Sequence, residues 1–259
     1  MFRLGTRLVA RFPLRDADPR VVLGQLQAEH AAMTEFNAVS TVPTPSPMAI
    51  GEPGHGYPLP WSVQTWIDGD PATHTSVASS TAFANDLARL IAAVQADQTN
   101  GRRFSGSGRG GELATHDDWV AVCLTQSEGM LPVARLRAGW ARLRRLPLAH
   151  EEVMAHKDLI PGNVLVRDGS LVGVIDTGGY GPADPALDLV AGWHLLDTER
   201  RGILREALNV DDLSWQRGAA WAFQQAMGLV WYYQDSNPAM SELGRSTLQR
   251  LLDAPQIDV

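Results

Sequence analysis

Three side chains in the second half of the chain have the types and the spacing of a catalytic centre. In the segment "HKDLIPGN", Asp158 is followed by Asn163, and the later segment "LVGVID" ends at Asp176. The stretches "NVLVRD" and "LVGVID" are predicted to be short β strands joined by an Asp-Gly turn. Because strands joined by a tight turn are antiparallel neighbours, the loop before the first lies beside the end of the second. We therefore expect these three side chains to converge.

Carboxylate and amide oxygens are ligands that Mg²⁺ prefers, and a carboxylate also accepts a proton from a hydroxyl group. Phosphoryl transfer uses both properties, since the metal neutralises phosphate charge while an aspartate orients the attacking hydroxyl. The three side chains therefore predict a site for Mg²⁺ and a nucleoside triphosphate. The chain contains no HExxH or HxH metal pattern and no GxSxG nucleophile motif, which argues against zinc hydrolase and esterase chemistry.

The same two motifs resemble those of the aminoglycoside phosphotransferase family, which has a protein-kinase-like fold and is related to choline kinases. "HKDLIPGN" matches the pattern His-Gly-Asp-Leu-x-x-Gly-Asn, and "VIDTGGYGPADPALDLV" matches Ile-Asp-Phe-Gly followed by Gly-Asp-Pro-x-x-Asp-Leu. The resemblance implies a two-lobed α+β fold with a shortened N-terminal β lobe and a mainly helical C-terminal lobe. We place the nucleotide-binding lobe at residues 1–66, and the lobe with the catalytic loop and the acceptor site at residues 67–259.

The resemblance also implies a role for each residue that matches the motifs. Asp158 would be the catalytic base, and Asn163 and Asp176 would hold Mg²⁺ on the nucleotide phosphates. His156 would brace the catalytic loop through hydrogen bonds, and Asp188 would tie the start of the following helix to that loop.

In the N-terminal part, the resemblance implies the residues that bind ATP or GTP. Arg11 stands where the family has the cation of its third strand, and Glu29 on the following helix would be its ion-pair partner. The hinge that meets the purine ring would include Gln64, Thr65 and Trp66.

The sequence departs from the family pattern within these motifs. Lys157, the only lysine among 22 basic residues, replaces a glycine that is common in the family, and Thr177 replaces a phenylalanine. The Lys157 ammonium either reaches the transferring phosphate or lowers the pKa of Asp158, or the side chain points to solvent or to the second lobe. Arg11 replaces a lysine, and its guanidinium is bulkier than an ammonium.

Family members carry a strand pair and a phosphate-covering loop before the position of "FRLG", which here follows Met1 directly. Either the start codon was assigned too late, or the nucleotide lobe is shortened. Two functions follow. The first is an ATP- or GTP-dependent phosphotransferase acting on a hydroxyl of a small molecule, with an aminoglycoside or another antibiotic among the acceptors. The alternative is a catalytically silent, kinase-like binding protein with an incomplete nucleotide lobe.

The acceptor is expected between the catalytic loop and the C-terminal helices. Acidic residues there would suit a cationic amine, and aromatic residues would suit a macrolide or another apolar natural product. The alternative is that the acids lie on solvated helix surfaces and the aromatics in the core. The acids are Asp197, Glu199, Asp211, Asp212 and Asp235, and the aromatics are Trp231, Tyr232 and Tyr233.

Composition limits the partners and the compartment. The formal charge of −7 argues against nucleic acid, because phosphate binding requires clustered cations. No run of about 18 apolar residues is present to span a membrane, and the chain lacks the pattern of a signal peptide. Cys123 is the single cysteine and stands in an apolar run, which predicts a buried thiol and a cytoplasmic protein. The sequence does not indicate an oligomeric state.

The surrounding elements must position the site. A hairpin is predicted around Gly5 and Thr6, a helix over residues 21–38, a Pro- and Gly-rich connection after it, and a strand at "WSVQTW". Helices are predicted from Phe83, near Asp117, over residues 131–146, and through the aromatic-rich C-terminal part. The segment "NGRRFSGSGRGGEL", residues 100–113, is predicted to be an exposed and mobile loop.

Overall fold

The N-terminal part forms a four-stranded antiparallel sheet and one long helix. The structure, a computed structural model, describes residues 1–14, 17–106, 108–148, 151–255 and 257. The elements are strands β1 (Phe2–Leu4), β2 (Leu8–Arg11), β3 (Pro47–Gly51) and β4 (Trp61–Thr65), and helix α1 (Pro19–Val39). The strand order is β1-β2-β4-β3. The hairpin predicted at Gly5 and Thr6 is confirmed, because Leu4 pairs with Leu8.

Helix α1 begins and ends within two residues of the predicted range. The Asp18 side chain accepts a hydrogen bond from the backbone N–H of Arg20 at 2.7 Å and so caps the helix, with Pro19 in the first turn. The helix buries Val22, Leu26, Met33 and Phe36, a spacing that places one apolar stripe on the rest of the protein. Strand β3 lies in the segment predicted to consist of extended connections and turns, and the sequence did not indicate that residues 47–51 pair as a strand.

The predicted hairpin of the catalytic region is also confirmed. Arg167 pairs with Ser170, and the two turn residues Asp168 and Gly169 both have positive φ, of 50° and 75°. This is the backbone of a type I′ turn, which Asp-Gly favours. The strands of this part are β5 (Asp70–Pro71), β6 (Val153–Ala155), β7 (Val164–Arg167), β8 (Ser170–Val174) and β9 (Gly181–Ala183). Strand β7 lies between β5 and β8, and β6 pairs with β9.

The C-terminal part is mainly helical, and its longest helix, α7, is packed against α3, α4, α5 and α8. Trp193, Trp215, Trp221 and Phe223 are nearly or fully buried in this core. Burying a large side chain contributes about 1.5–3 kcal/mol, so these residues are a main source of stability. Cys123 is buried, as predicted. The helices are α2 (Thr81–Ala96), α3 (Asp117–Gln126), α4 (Val133–Leu143), α5 (Val190–Leu195), α6 (Thr198–Ala207), α7 (Asp212–Tyr232) and α8 (Pro238–Leu252).

The loop at residues 100–113, in which Ser107 lies outside the described residues, is largely exposed, as predicted, and is attached to the rest of the protein by hydrogen bonds. Its mobility remains a prediction. The Phe104 N–H donates to Glu152 at 2.6 Å, and the Gly110 carbonyl accepts from the Asp184 N–H at 2.7 Å. The Gly111 carbonyl accepts from Arg217 at 3.1 Å. These partners are distant in sequence, so local Gly content could not reveal them.

Within the described residues, no helix has the length and the apolar character needed to cross a membrane.

Candidate active site

Asp158 lies in the hydrogen-bonded loop that connects strands β6 and β7. Its N–H donates to Nδ1 of His156 at 3.2 Å. Nδ2 of Asn163 donates to the Asp158 carbonyl at 2.9 Å and to its Oδ2 at 3.1 Å. Nη2 of Arg109 donates to Oδ1 at 2.7 Å. Both carboxylate oxygens are therefore oriented, while about a third of the side chain stays exposed (34%) and can contact a ligand.

His156 and Asp188 fix the backbone of this loop through hydrogen bonds. The Asp188 carboxylate is buried and accepts the backbone N–H groups of His156 at 2.7 Å and Lys157 at 2.9 Å. Burial raises the pKa of Asp188, against the opposing effect of His156 and of the two N–H donors. Nε2 of His156 donates to the Ile175 carbonyl at 3.1 Å, which ties the loop to the end of β8. These contacts are of the kind predicted for a brace.

Lys157 adopts a backbone conformation that explains why glycine is common here in the family. Its φ is 73°, in the left-handed region where a side chain is disfavoured. The side chain is half-buried, and its ammonium lies over Gly181 of β9. Burial lowers the pKa of Lys157, and the nearby Asp188 acts in the opposite direction.

A cleft of about 430 Å³ lies between the N-terminal sheet and the catalytic hairpin. Arg11 stands within it, 3.5 Å from Asp176 and 3.6 Å from Glu29, so one guanidinium connects the sheet, the helix and the hairpin. The cleft contains six of the residues predicted to bind nucleotide or metal: Arg11, Gln64, Thr65, Trp66, Asn163 and Asp176. The structure thus brings together residues that are up to 165 positions apart in sequence.

The hinge residues take different positions at the edge of this cleft. Gln64 is buried in β4 opposite Val9, and Thr65 ends the strand. The Trp66 N–H donates to the Arg7 carbonyl at 2.8 Å, and its ring is 38% exposed. The Trp66 indole N–H donates to Asp68 at 2.9 Å, and the Arg3 guanidinium lies 4.6 Å from the centre of the ring.

Asn163 and Asp176 fit the donor set of Mg²⁺. The Asn163 amide donates through Nδ2 to Asp158, which leaves its carbonyl oxygen for a metal, and half of the Asp176 side chain is exposed (51%) in the cleft. Asp176 is in the left-handed conformation, with φ 61°, which places its carboxylate at the end of the hairpin. Within the described residues, no group of three or more His, Cys, Asp or Glu is arranged to hold a metal. Two protein ligands with phosphate and water oxygens are the usual set for Mg²⁺.

A second cavity, of about 300 Å³, shares no described lining residue with the cleft and is linked to Asp158 by one side chain. Arg109 connects the two, because it lines the cavity and donates to the Asp158 carboxylate. The other lining residues come from α3, α7 and the turn after α7: Trp119, Gln224, Gln225, Gly228, Leu229, Tyr232 and Tyr233. Sequence reasoning did not single out Arg109, because it placed residue 109 in a mobile loop. Its segment, "SGRGG", gives no local signal for a contact 49 residues away.

The acidic residues predicted for the acceptor site have other partners. Asp197 and Asp211 cap helices α6 and α7, accepting N–H groups of Arg200 at 2.9 Å and Ser214 at 2.7 Å. Glu199 pairs with Arg200 at 2.6 Å, Asp212 pairs with Arg205, and Asp235 is exposed. Among the predicted aromatics, Tyr232 and Tyr233 line the second cavity, whereas Trp231 packs against the ring of Trp119.

Comparison with known proteins agrees with this architecture. The model of the phosphotransferase enzyme family, APH, matches residues 1–223 of the 259. This chain belongs to that family. An aminoglycoside 3'-phosphotransferase of Escherichia coli is 40% identical over 68 residues, which are 24% of this chain and 25% of that enzyme. The chain therefore spans about a quarter of the length of this curated relative.

Solved structures of other family members share the fold. APH(2")-IIia, solved with GDP and kanamycin, has a TM-score of 0.65 at 17% identity, over 95% of this chain and 86% of that chain. Macrolide 2'-phosphotransferase MphH of Brachybacterium faecium has a TM-score of 0.58 at 18% identity, over 93% and 83% of the chains. The predicted kinase-like α+β fold is confirmed. The lobe boundary at residue 66 remains a prediction.

Proposed function

We propose that this member of the phosphotransferase family transfers the γ-phosphoryl group of ATP or GTP to a hydroxyl group of a small molecule. One observation carries the proposal: the Asp158 carboxylate accepts hydrogen bonds from Asn163, which lines the cleft together with Arg11 and Asp176, and from Arg109, which lines the separate cavity. A bisubstrate reaction requires such an arrangement, with donor and acceptor on opposite sides of one oriented carboxylate.

On the nucleotide side, the purine is proposed to rest on Trp66 and the strand end at Gln64 and Thr65. Arg11 would contact the phosphates, and Glu29 at 3.6 Å would hold that guanidinium in place. Asn163 and Asp176 would hold Mg²⁺, which supplies charge neutralisation for the triphosphate when bound.

In the reaction, the acceptor oxygen forms a bond to the γ-phosphorus, and the bond from that phosphorus to the β–γ bridging oxygen breaks. The nucleoside diphosphate leaves with that electron pair, and the hydroxyl proton passes to Asp158 and then to solvent. Asn163 keeps the Asp158 carboxylate oriented by donating a hydrogen bond from Nδ2 to Oδ2 of Asp158 at 3.1 Å. His156 and Asp188 fix the backbone of the loop that carries Asp158. Lys157 is given no role in the transfer, because its ammonium lies over Gly181.

The relatives support the reaction class. Their names describe phosphotransferases for aminoglycosides and macrolides, and solved structures of similar enzymes contain GDP, ADP or ATP. We propose the cytoplasm as the compartment, since nucleoside triphosphates and Mg²⁺ are available there and the one cysteine is a free, buried thiol.

The test is nucleotide turnover by the full chain in Mg²⁺, with ATP and GTP, against aminoglycosides, macrolides and hydroxylated carboxylates and glycosides. Acceptor-stimulated release of diphosphate that disappears in Asp158→Asn would support the proposal. Product analysis by mass spectrometry must show one added phosphoryl group on the acceptor.

Binding of nucleotide without transfer to any acceptor would favour the alternative of a silent binding protein. Absence of nucleotide binding by the folded chain, checked by calorimetry, would contradict phosphotransfer and leave the silent binding protein with an incomplete nucleotide lobe. The exposed Asp253→Asn serves as the control for loss of a carboxylate, since Asp253 is not among the described residues that line either cavity.

A further inference from the structure

The cavity on the acceptor side of Asp158 is uncharged except for one cation. Arg109 is the charged member of its described lining, and no carboxylate is among the described residues that line it. This differs from the sequence expectation, in which a set of acidic residues would receive a cationic amine. Those acids cap or pair with helix residues instead, as shown by Asp197 and Asp211.

The position of Arg109 is fixed by a buried ion pair. The Asp184 carboxylate accepts two N–H groups of Arg217, at 2.8 and 2.5 Å, and both side chains are almost fully buried. Arg217 also donates to the Gly111 carbonyl at 3.1 Å, and the Asp184 N–H donates to the Gly110 carbonyl at 2.7 Å. The two residues after Arg109 are thereby attached to α7 and β9.

Gly110 allows this attachment. Its φ is 128°, and a Cβ there would lie 2.8 Å from the Ala183 Cβ, so the loop approaches β9 more closely than another residue permits. The guanidinium of Arg109 is therefore presented to Asp158 and to the cavity by a defined backbone, with 32% of its side chain exposed.

The remaining walls of the cavity suit a ring and neutral polar groups. Trp119, Tyr232 and Tyr233 provide aromatic surface, and the Tyr232 side chain is 60% exposed. Gln224 and Gln225 form another wall, and Oε1 of the first and Nε2 of the second have no hydrogen-bond partner among the described residues. Amides of this kind can exchange hydrogen bonds with a ligand hydroxyl or carbonyl group after a small side-chain rotation.

We infer that the acceptor is a hydroxyl compound that carries a carboxylate or phosphate group next to an aromatic or apolar ring, and that Arg109 selects it. This inference rests on the proposed phosphotransfer. In the free protein the guanidinium is paired with Asp158, at the position an acceptor hydroxyl must approach. An anionic group of the acceptor gives the guanidinium a new partner, which frees Oδ1 of Asp158 for the hydroxyl.

A polycationic acceptor cannot replace Asp158 as the partner of Arg109. Its ammonium groups would meet the Arg109 guanidinium at short distance. No carboxylate is among the described lining residues to compensate that repulsion, and the nearby Asp158 is already paired with Arg109. The similar structure that contains kanamycin is 17% identical to this chain, a level at which the likeness establishes the fold and not the acceptor.

The test is a set of related glycosides of different charge, 4-nitrophenyl β-D-glucuronide, 4-nitrophenyl β-D-glucopyranoside and 4-nitrophenyl β-D-glucosaminide, with kanamycin as a polycation. The carboxylate of the first replaces the 6-hydroxymethyl group of the second, and the amine of the third replaces its 2-hydroxyl group. Dissociation constants are measured by calorimetry on the full chain, with and without Mg²⁺ and a non-hydrolysable triphosphate. We expect the glucuronide to bind at least about tenfold more tightly than the glucopyranoside, and the glucosaminide and kanamycin most weakly.

Variants of Arg109 distinguish a role in selecting the acceptor from a purely structural role. Arg109→Gln should reduce the ratio of glucuronide to glucopyranoside affinity to about one, and Arg109→Lys should restore part of it. A merely structural role would weaken both compounds together and leave their ratio in place. Arg103→Gln, an exposed arginine of the same loop, is the matched control and should keep the wild-type ratio.

Tighter binding of the glucosaminide or kanamycin than of the glucuronide would overturn the inference, as would an unchanged ratio in Arg109→Gln. Failure of all four compounds to bind would also overturn it, because the cavity would then not be the acceptor site described. These results are distinct from failure of the proposed function. Phosphoryl transfer to kanamycin would refute the anionic acceptor and leave phosphotransfer standing, whereas a folded chain without nucleotide binding would refute phosphotransfer itself.

Discussion

The two sides of Asp158 are built in different ways. On the nucleotide side, Asn163 and Asp176 stand at one end of a hairpin, and the cation that meets them, Arg11, comes from the neighbouring sheet. On the acceptor side, Arg109 stands in a loop that is attached through a buried ion pair to α7. The first side places its ligands by local backbone geometry, and the second by long-range packing. The residues proposed to bind Mg²⁺ and the residue that sets the charge of the second cavity are therefore held in place by separate contacts.

Asp158→Asn should remove most of the acceptor-dependent turnover, which is the largest effect that we expect. The amide keeps the shape of the carboxylate but cannot accept the hydroxyl proton, so we expect acceptor-dependent turnover to fall by about a thousandfold or more, roughly 4 kcal/mol of barrier. The measurement is kcat with saturating nucleotide and acceptor. Nucleotide affinity should change little, and a comparable loss of nucleotide binding would show that the substitution disturbs the cleft itself.

Asp184→Ala should damage the acceptor side through its support. Removing this carboxylate leaves the buried Arg217 guanidinium without its ion-pair partner, which we expect to lower the free energy of unfolding by at least about 3 kcal/mol. Urea unfolding measures this change. Asp235→Ala, at an exposed acid, is the control and should change stability by less than about 0.5 kcal/mol. A small effect of Asp184→Ala would mean that the Arg109 loop is attached by other contacts.

Asp176→Asn should act on the nucleotide side alone. Loss of a charged metal ligand is expected to weaken Mg²⁺-dependent nucleotide binding by up to about a hundredfold, or about 2.7 kcal/mol. Titration calorimetry in Mg²⁺ measures this loss, and Asp253→Asn on the exposed C-terminal end of α8 is the control. If acceptor affinity in the absence of nucleotide fell by the same factor, the separation of the two sides would be wrong.

Low pH should lower the free energy of unfolding through His194, which contacts the wall of the second cavity. This buried ring contacts Thr247 at 2.8 Å and Gln225 of the cavity wall at 2.9 Å, and burial lowers its pKa to about 4, with Arg250 and Arg109 acting in the same direction. His194 takes up a proton near pH 6.5 in the unfolded chain but only near pH 4 in the folded chain. Its contribution to the free energy of unfolding is therefore fully present above pH 6.5 and declines as the pH falls toward 4. At pH 5 the expected loss is about 2 kcal/mol.

Urea unfolding at pH 7 and pH 5 tests this dependence. His194→Asn should lose about 2 kcal/mol less than the wild type between the two values, whatever its stability at pH 7. His55→Asn, at an exposed histidine, should retain the wild-type dependence. Equal pH dependence in His194→Asn and the wild type would exclude this histidine as the cause.

Lys157→Gly should leave both sides nearly intact and have the smallest effect. Glycine relieves the left-handed strain at φ 73°, while it increases the entropy of the unfolded chain, so stability should change by about 1 kcal/mol or less. Turnover should stay within about tenfold of the wild type. A loss of more than about a hundredfold would show that the Lys157 ammonium takes part in phosphoryl transfer.

Much of the nucleotide side could be predicted from the sequence. The Asp-Gly turn fixes the register of β7 and β8, and this register places Asp158, Asn163 and Asp176 at one end of the hairpin. Strand β3 was missed because its Pro- and Gly-rich surroundings resemble a connection, and only pairing with β4 makes it a strand. The contact between Arg11 and Glu29 was accessible through family resemblance, not through the pattern of residues.

The sequence by itself determined the family, the hairpin and the residues of the catalytic loop, because tight turns and strand registers depend on residues that are close together in the chain. The tertiary structure alone decided that Arg109 meets Asp158. The Arg109 contact depends on the burial of Arg217 against Asp184, 33 positions away, and on the close approach of Gly110 to β9. Contacts of this kind form only when whole elements pack, so no local pattern of residue types encodes them.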